Sequence, residues 1–463
     1  MRIAAAACAA ALVVGGCGGG KTTTGLSLSP CTIGPTGAIH AQCGDLSVPE
    51  NPFYAKGKHI PIHVAVVRRT EPKATGLPIF DFAGWGGAGV EDDAWLSGAF
   101  ANLNVSHDIV FVDQRGTGRS NPLSCAIPET DAATITRATK ECVERIGPDL
   151  KYYTSAIAVD DVDRVRAALG YDKIDLYGAS YGVTTEQFYL LRHGVHVHRA
   201  VLDSGSLLPV HIFENGPRNA QRALDMLFAQ CAADAACTDA FGNVKAQYAT
   251  LAARVARKPV PLPEVGAELG PETLAAAVDA LLPFDKPQLP RFIHLLATGK
   301  ATAAAAIVKP YLPAPSARQL AYMLVIQCSE PWAMRRPAVA QRLAAGTFYE
   351  PLAHMEIAST AAMCKAMIHG YEPAAAGMRA HSTVPVLFLQ GNEDPADPPS
   401  AVAHARRELP NSRVVVFPYS GHGQIGYACA QFLATRFFEG DGLQKLDTTC
   451  ASSAALAPFD TRR

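Results

Sequence analysis

Three residues in this chain, Ser180, Asp394 and His422, could together carry out nucleophilic chemistry. Ser180 stands in Gly178-Ala179-Ser180-Tyr181-Gly182, after the apolar run Ile174 to Tyr177 and before the helix-like stretch Val183 to His193. A serine at the apex of a strand–turn–helix is presented at the end of a sheet, and small neighbours let other backbone pass close to it. Its hydroxyl is a poor nucleophile near neutrality. It needs a base within hydrogen-bond reach, and that base needs an acid to hold its tautomer. The chain supplies both in order. The apolar run Val384 to Leu389 leads into Gln390-Gly391-Asn392-Glu393-Asp394-Pro395-Ala396-Asp397, and Val414 to Phe417 leads into Pro418-Tyr419-Ser420-Gly421-His422-Gly423. An acid after one late strand and a histidine after the next suits acyl transfer through a serine. Asp394 is nearer its strand end and is the expected acid. Asp397, before Pro398, is expected to shape the turn or cap the following helix. Glu393 is the third acid of the loop.

Such chemistry also needs two backbone N–H groups aimed at a developing oxyanion. One is expected from Tyr181, after the nucleophile, where a helix N-terminus leaves donors unused. The other is expected from Gly87, in the glycine run Gly84-Trp85-Gly86-Gly87-Ala88-Gly89. No Gly-Lys-Ser/Thr follows that run, which argues against a phosphate cradle. Asp113-Gln114-Arg115-Gly116-Thr117-Gly118-Arg119-Ser120 reads as a structural brace after a strand. His193, His196 and His198 fall where a helix end enters a strand, and no metal or other cofactor is expected.

The elements that must position these residues are legible as apolar runs. Eight read as strands: Leu46 to Pro49, Ile60 to Val67, Leu77 to Ala83, Ile109 to Val112, Ile174 to Tyr177, Ala200 to Leu202, Val384 to Leu389 and Val414 to Phe417. Helical periodicity covers Ala156 to Leu169, with Val159, Val162, Val165 and Leu169 on one face. Helices are also expected over Pro399–Glu408 and Ala428–Glu439. Strands alternating with helices, and apolar on both faces, imply a mainly parallel sheet covered on both sides. Over 206–380 the strand-like runs vanish and alanine-rich helices punctuated by proline take over, one of them expected to open at Pro217. The divisions expected are a first core segment over 31–205, a helical cap over 206–380 and a second core segment over 381–463.

The 463 residues are 49% hydrophobic and 18% charged, enough for a large core. Lys+Arg number 41 against 42 Asp+Glu, a net charge of -1 with no basic stripe, which argues against a nucleic-acid partner. Met1-Arg2 and the apolar Ile3 to Val14 read as a secretory leader over 1–16, too short to span a bilayer stably. Leu12-Val13-Val14-Gly15-Gly16-Cys17 resembles a lipobox, making Cys17 the candidate lipid anchor and 17–30 a flexible tether. Setting Cys8 and Cys17 aside leaves ten of the 12 cysteines, in the neighbouring pairs Cys31/Cys43, Cys125/Cys142, Cys231/Cys237, Cys328/Cys364 and Cys429/Cys450. An even number suits disulfides in an oxidising compartment, although sequence does not fix connectivity.

With these residues assembled, the chain resembles the tripeptidyl-aminopeptidase / proline-iminopeptidase branch of the α/β-hydrolase serine peptidases, in a bacterial exported lipoprotein form. The resemblance rests on Trp85-Gly86-Gly87-Ala88-Gly89, Asp113 to Ser120, Gly178 to Gly182, Val201-Leu202-Asp203 and the Asp394 and His422 loops. Ala88 replaces the family's proline, and Asp397 stands where threonine often precedes proline. The resemblance implies an α/β-hydrolase fold with an eight-stranded, mainly parallel sheet and a helical cap. It also implies cleavage of one to three residues from free peptide N-termini. Val325-Ile326-Gln327-Cys328-Ser329-Glu330 is similar to a Cys-x-acid motif of the family's lid, which makes Glu330 the implied anchor for a substrate amine, with Trp85 bordering the substrate. The same triad serves carboxylesterases and lipases, whose substrates would be small esters, and an inactive binding scaffold is the remaining alternative.

Overall fold

Nine strands make one sheet: β1 (Ser29–Ile33), β2 (Ile39–Pro49), β3 (His59–Val67), β4 (Ile79–Phe82), β5 (Ile109–Val112), β6 (Ile174–Ala179), β7 (Val197–Asp203), β8 (Val386–Gly391) and β9 (Ser412–Phe417). This computed structural model describes residues 25–462 except 35, 94, 129–130, 211, 263–266, 312–318 and 372–376. The leader and Cys17 expectations lie outside the described residues.

The strand order is β1-β2-β3-β5-β4-β6-β7-β8-β9. The first three strands are antiparallel, β3 meets β5 antiparallel, and β5 through β9 run parallel. Period-two burial explains why such runs form a central sheet. Val64 and Val66 face one core while Ala65 and Val67 face the other; Val386 and Phe388 alternate with Leu387 and Leu389 in the same way. The sheet has one strand more than the eight expected. β1 begins inside the stretch read as tether, is mostly exposed and contains Pro30, so no apolar alternation marks it. Register with β2 and the Cys31–Cys43 disulfide hold it at the edge.

Helices α1 (Ser155–Ala168) and α2 (Tyr181–His193) flank β6. Between β7 and β8 the chain is mainly helical, with α3 (Ile212–Ala233), α4 (Pro271–Leu281), α5 (Ala321–Ser329) and α6 (Glu350–Ala366) among its elements. Leu224, Leu227, Phe292 and Ile293 give this region a core of its own. Tyr322, Leu324 and Val325 of α5 join the core on one face of the sheet instead. Helix α3 begins before Pro217 rather than at it. Pro217 is the sixth residue of the helix, so its missing N–H removes one i→i−4 bond from the ladder. The stretch expected as one helix over Pro399–Glu408 is a 3₁₀ turn, Pro399–Val402, followed by the short helix Ala405–Glu408. The five disulfides join the neighbouring cysteines: Cys31–Cys43, Cys125–Cys142, Cys231–Cys237, Cys328–Cys364 and Cys429–Cys450. Cys328–Cys364 ties α5 to α6, fixing the helix that leads into Glu330.

Candidate active site

Ser180 sits between β6 and α2 with φ 57° and ψ -119°, a left-handed conformation that side chains seldom adopt. The surroundings hold it there. A Cβ on Gly182 would lie 2.0 Å from the Phe82 carbonyl oxygen, and one on Gly178 would lie 2.8 Å from the Gly182 carbonyl carbon. Both glycines are therefore required by close backbone passage on either side of the serine. The Ser180 N–H donates to the Asp203 carbonyl at 3.0 Å, tying the turn to the end of β7.

Asp203 also fastens the histidine loop. Its buried carboxylate accepts the N–H groups of Gln424 (2.8 Å) and Ile425 (2.8 Å), and Ser204 Oγ accepts that of Gly423 at 2.9 Å. Sequence reasoning missed this staple: Asp203 carried resemblance but no role, and nothing local marks Ser204. The acid loop and the histidine loop cross at Gly391, where a Cβ would meet the Gly421 carbonyl oxygen at 2.0 Å. Asp394 and His422 are thereby brought together, with His422 Nδ1 2.8 Å from Asp394 Oδ2. The other carboxylate oxygen of Asp394 accepts the N–H groups of Ala396 (2.8 Å) and Asp397 (2.9 Å). The acid is wholly buried, so its orientation is fixed. Among the described residues, no hydrogen bond joins Ser180 Oγ to His422 Nε2. Contacts of this kind are often long without substrate and tighten on binding.

Burial pulls the His422 imidazole down, but the charge and hydrogen bond of Asp394, then the charges of Asp397 and Asp203, override it and bring the pKa to about 9. The imidazole is therefore mostly protonated at neutral pH, and turnover that uses it as a base should rise with pH towards that value. Asp397, pushed up to about 6 by burial and by Asp394, exerts its pull only above that pH. Asp397→Asn should move the rising limb of kcat/KM about one pH unit lower. The profile is read on an acyl ester lacking an ionisable amine, and an unmoved limb would show that Asp397 does not act on the histidine.

A cavity of about 110 Å³ opens at the serine, lined by Ser180, Tyr181, Trp85, Ser206, Glu330 and Asp397 together with Leu208, Val210, Ile326 and Met334. Glu330 is buried, accepting Ser155 N–H at 3.0 Å and Ser155 Oγ–H at 2.7 Å. Burial raises its carboxyl to about 7 against the lowering effect of those two bonds. Each carboxylate oxygen retains a further acceptor site. Ser155 Oγ also lies 2.7 Å from Tyr181 Oη, and the Tyr181 ring packs edge-on against Trp85 at 5.3 Å.

Two expectations change. The Gly87 N–H closes a turn on the Gly84 carbonyl at 3.2 Å, so it is engaged and does not point freely at an oxyanion. Tyr181, the first residue of α2, keeps the placement expected of it. Asp397 neither shapes the turn nor caps a helix through its side chain: it bonds Ser206 Oγ and lines the cavity. Its position before Pro398 suggested a local role, yet the partner is 191 positions away. Asp113 is a brace, accepting the N–H groups of Val90 (3.0 Å) and Arg119 (2.8 Å), and buried Arg115 pairs with Asp161 at 2.6 Å. His193 and His198 pair with Asp160 (2.8 Å) and Asp175 (2.9 Å).

A family model described as alpha/beta hydrolase fold matches residues 82–247, spanning the glycine run and the serine turn, and one described as TAP-like protein matches residues 350–450, spanning Asp394 and His422. The chain is 33% identical over 189 residues to the tripeptidyl aminopeptidase of Streptomyces lividans, covering 35% of each. It is 27% identical over 231 residues to the serine protease Hip1 of Mycobacterium tuberculosis (strain ATCC 25618 / H37Rv), covering 44% of this chain and 43% of that one. The chain thus matches about a third to under half of the length of these curated relatives. A proline iminopeptidase structure from Mycobacterium smegmatis aligns with a TM-score of 0.41 at 15% identity, covering 85% of this chain and 97% of that one. With its mainly parallel sheet, its serine turn and these two matches, the chain has the α/β-hydrolase fold, and residues 350–450 resemble the TAP-like proteins.

Proposed function

We propose that this protein is an exported serine aminopeptidase that releases one to three residues from free peptide N-termini. The observation that carries the reading is a buried carboxylate, Glu330, in the same cavity as Ser180. An ammonium entering that cavity gains a charge-assisted partner shielded from water and draws the Glu330 carboxyl back towards ionisation. Ser180 Oγ attacks the carbonyl carbon while His422 Nε2 takes its proton. Asp394 holds the imidazolium, and Tyr181 N–H donates a hydrogen bond to the oxyanion. His422 then returns the proton to the leaving amine, and water repeats the sequence on the acyl-enzyme.

The chain between β7 and β8 acts as a cap over 206–380, since Leu208, Val210, Ile326, Glu330 and Met334 all wall the cavity. Short unblocked peptides fit such a closed site. Five disulfides support an oxidising compartment, and the leader with Cys17 supports a lipid anchor as the link to a membrane.

Glu330→Gln tests the reading. Losing a charged hydrogen-bond partner should raise KM for free-amine peptides about 10- to 100-fold, and barely alter it for the same peptides acetylated at the N-terminus. Equal effects on both substrates would remove Glu330 from amine recognition. Hydrolysis of short acyl esters alone, with no aminoacyl amide cleaved, would identify a carboxylesterase instead.

A further inference from the structure

The segment between α4 and the next helical turn reaches across to the histidine loop. The His422 N–H donates to the Pro283 carbonyl at 3.0 Å, and a Cβ on Gly421 would lie 2.4 Å from that same oxygen. Three residues on, Lys286 is buried, pairs with Glu393 and donates to the Tyr419 carbonyl at 2.7 Å. Tyr311 Oη fixes Asp285 between them at 2.7 Å. Every neighbour is thus tied down, yet Phe284 is 67% exposed, its ring edge-on to the His422 imidazole with centroids 5.9 Å apart. The fixed backbone on either side thus holds a large aromatic side chain in water beside the His422 imidazole, where it buries little of its own surface.

We infer that Phe284 is a specificity-determining contact for the residue just after the cleaved bond, and that this residue is apolar in preferred substrates. The inference rests on the peptidase reading and deepens it. The acyl side of the substrate, with its amine, occupies the cavity of Ser180 and Glu330, which Phe284 does not line. His422 must deliver its proton to the leaving nitrogen, so the leaving residue lies on the imidazole side of the scissile bond. That side carries Phe284. An apolar side chain there covers the ring and leaves water; glycine leaves the ring exposed.

The test takes the best free-amine substrate and compares versions with Leu or Gly immediately after the scissile bond. The wild-type protein should favour Leu by about three- to tenfold in kcat/KM, the effect of one aromatic contact. Phe284→Ala should bring the ratio close to one, and Phe284→Leu should restore much of it. Since the side chain is exposed, folding is not at stake, and matching circular dichroism spectra check this. No wild-type preference, or a preference that survives Phe284→Ala, overturns the assignment. If only esters are cleaved, the peptidase reading falls by itself. The same variants then test Phe284 through the ratio of hexyl to methyl leaving groups, where a collapse in Phe284→Ala supports it and an unchanged ratio overturns it.

Discussion

Ser180→Ala should lower kcat by about ten-thousandfold or more, while substrates still bind. The residual rate would come from Tyr181 N–H and from Glu330 holding the substrate, neither of which needs the hydroxyl. The fold should tolerate the change. The fold-bearing bond at this position is backbone, from Ser180 N–H to the Asp203 carbonyl at 3.0 Å, and alanine keeps it. Alanine meets the same left-handed strain at φ 57° that serine does, so the thermal midpoint should hardly move. Lost turnover with an unchanged midpoint separates chemistry from folding. A fluorophosphonate should label the wild-type serine and leave Ser180→Ala untouched. Activity within tenfold of wild type would refute nucleophilic catalysis at this turn, and an unlabelled wild type would revive the inactive binding scaffold.

Ser180, Asp394 and His422 were legible as candidates because their strands are. β6, β8 and β9 are apolar runs that end in loops containing glycine beside a reactive side chain, and a parallel sheet places consecutive strand ends along one rim. What the residues alone left open was set by partners distant in sequence. Glu330 follows the apolar helix α5 and could equally have faced solvent. Only the packing of α5 against the sheet core, with Ser155 donating twice, puts its carboxylate in the cavity. The Lys286–Glu393 pair joins residues 107 positions apart, and no periodicity connects them. Gly87 failed as a donor for a related reason: composition marks a glycine-rich turn but not which N–H the turn consumes. Edge strand β1 was missed because it is mostly exposed and contains Pro30, leaving no apolar alternation to read.

Asp394→Asn should cost about ten-thousandfold in kcat, and the backbone around the acid explains why so conservative a change is so damaging. One carboxylate oxygen accepts two N–H groups, from Ala396 and Asp397, and the other accepts His422 Nδ1. An asparagine must put its carbonyl oxygen on one side and its NH₂ on the other. Turning the oxygen to the histidine would set the NH₂ against two backbone donors in a fully buried place, leaving three donors with no acceptor. The amide therefore settles with its oxygen on the backbone and its NH₂ towards Nδ1. His422 then presents a bare Nδ1 and a protonated Nε2, which cannot take the Ser180 proton. Losing the Asp394 charge also lowers the imidazole from about 9, because that charge was the strongest raising influence. The imidazole therefore loses its proton at a lower pH in the variant and is still inactive, so the defect should persist to the top of the pH profile. Asp397→Asn, by contrast, leaves the tautomer intact and should lose less than about tenfold at its own pH plateau. The decisive measurement is kcat for both variants at plateau pH. Equal losses would mean that Asp397 shares the orienting role, and a loss under tenfold in Asp394→Asn would mean that the histidine does not act as the base.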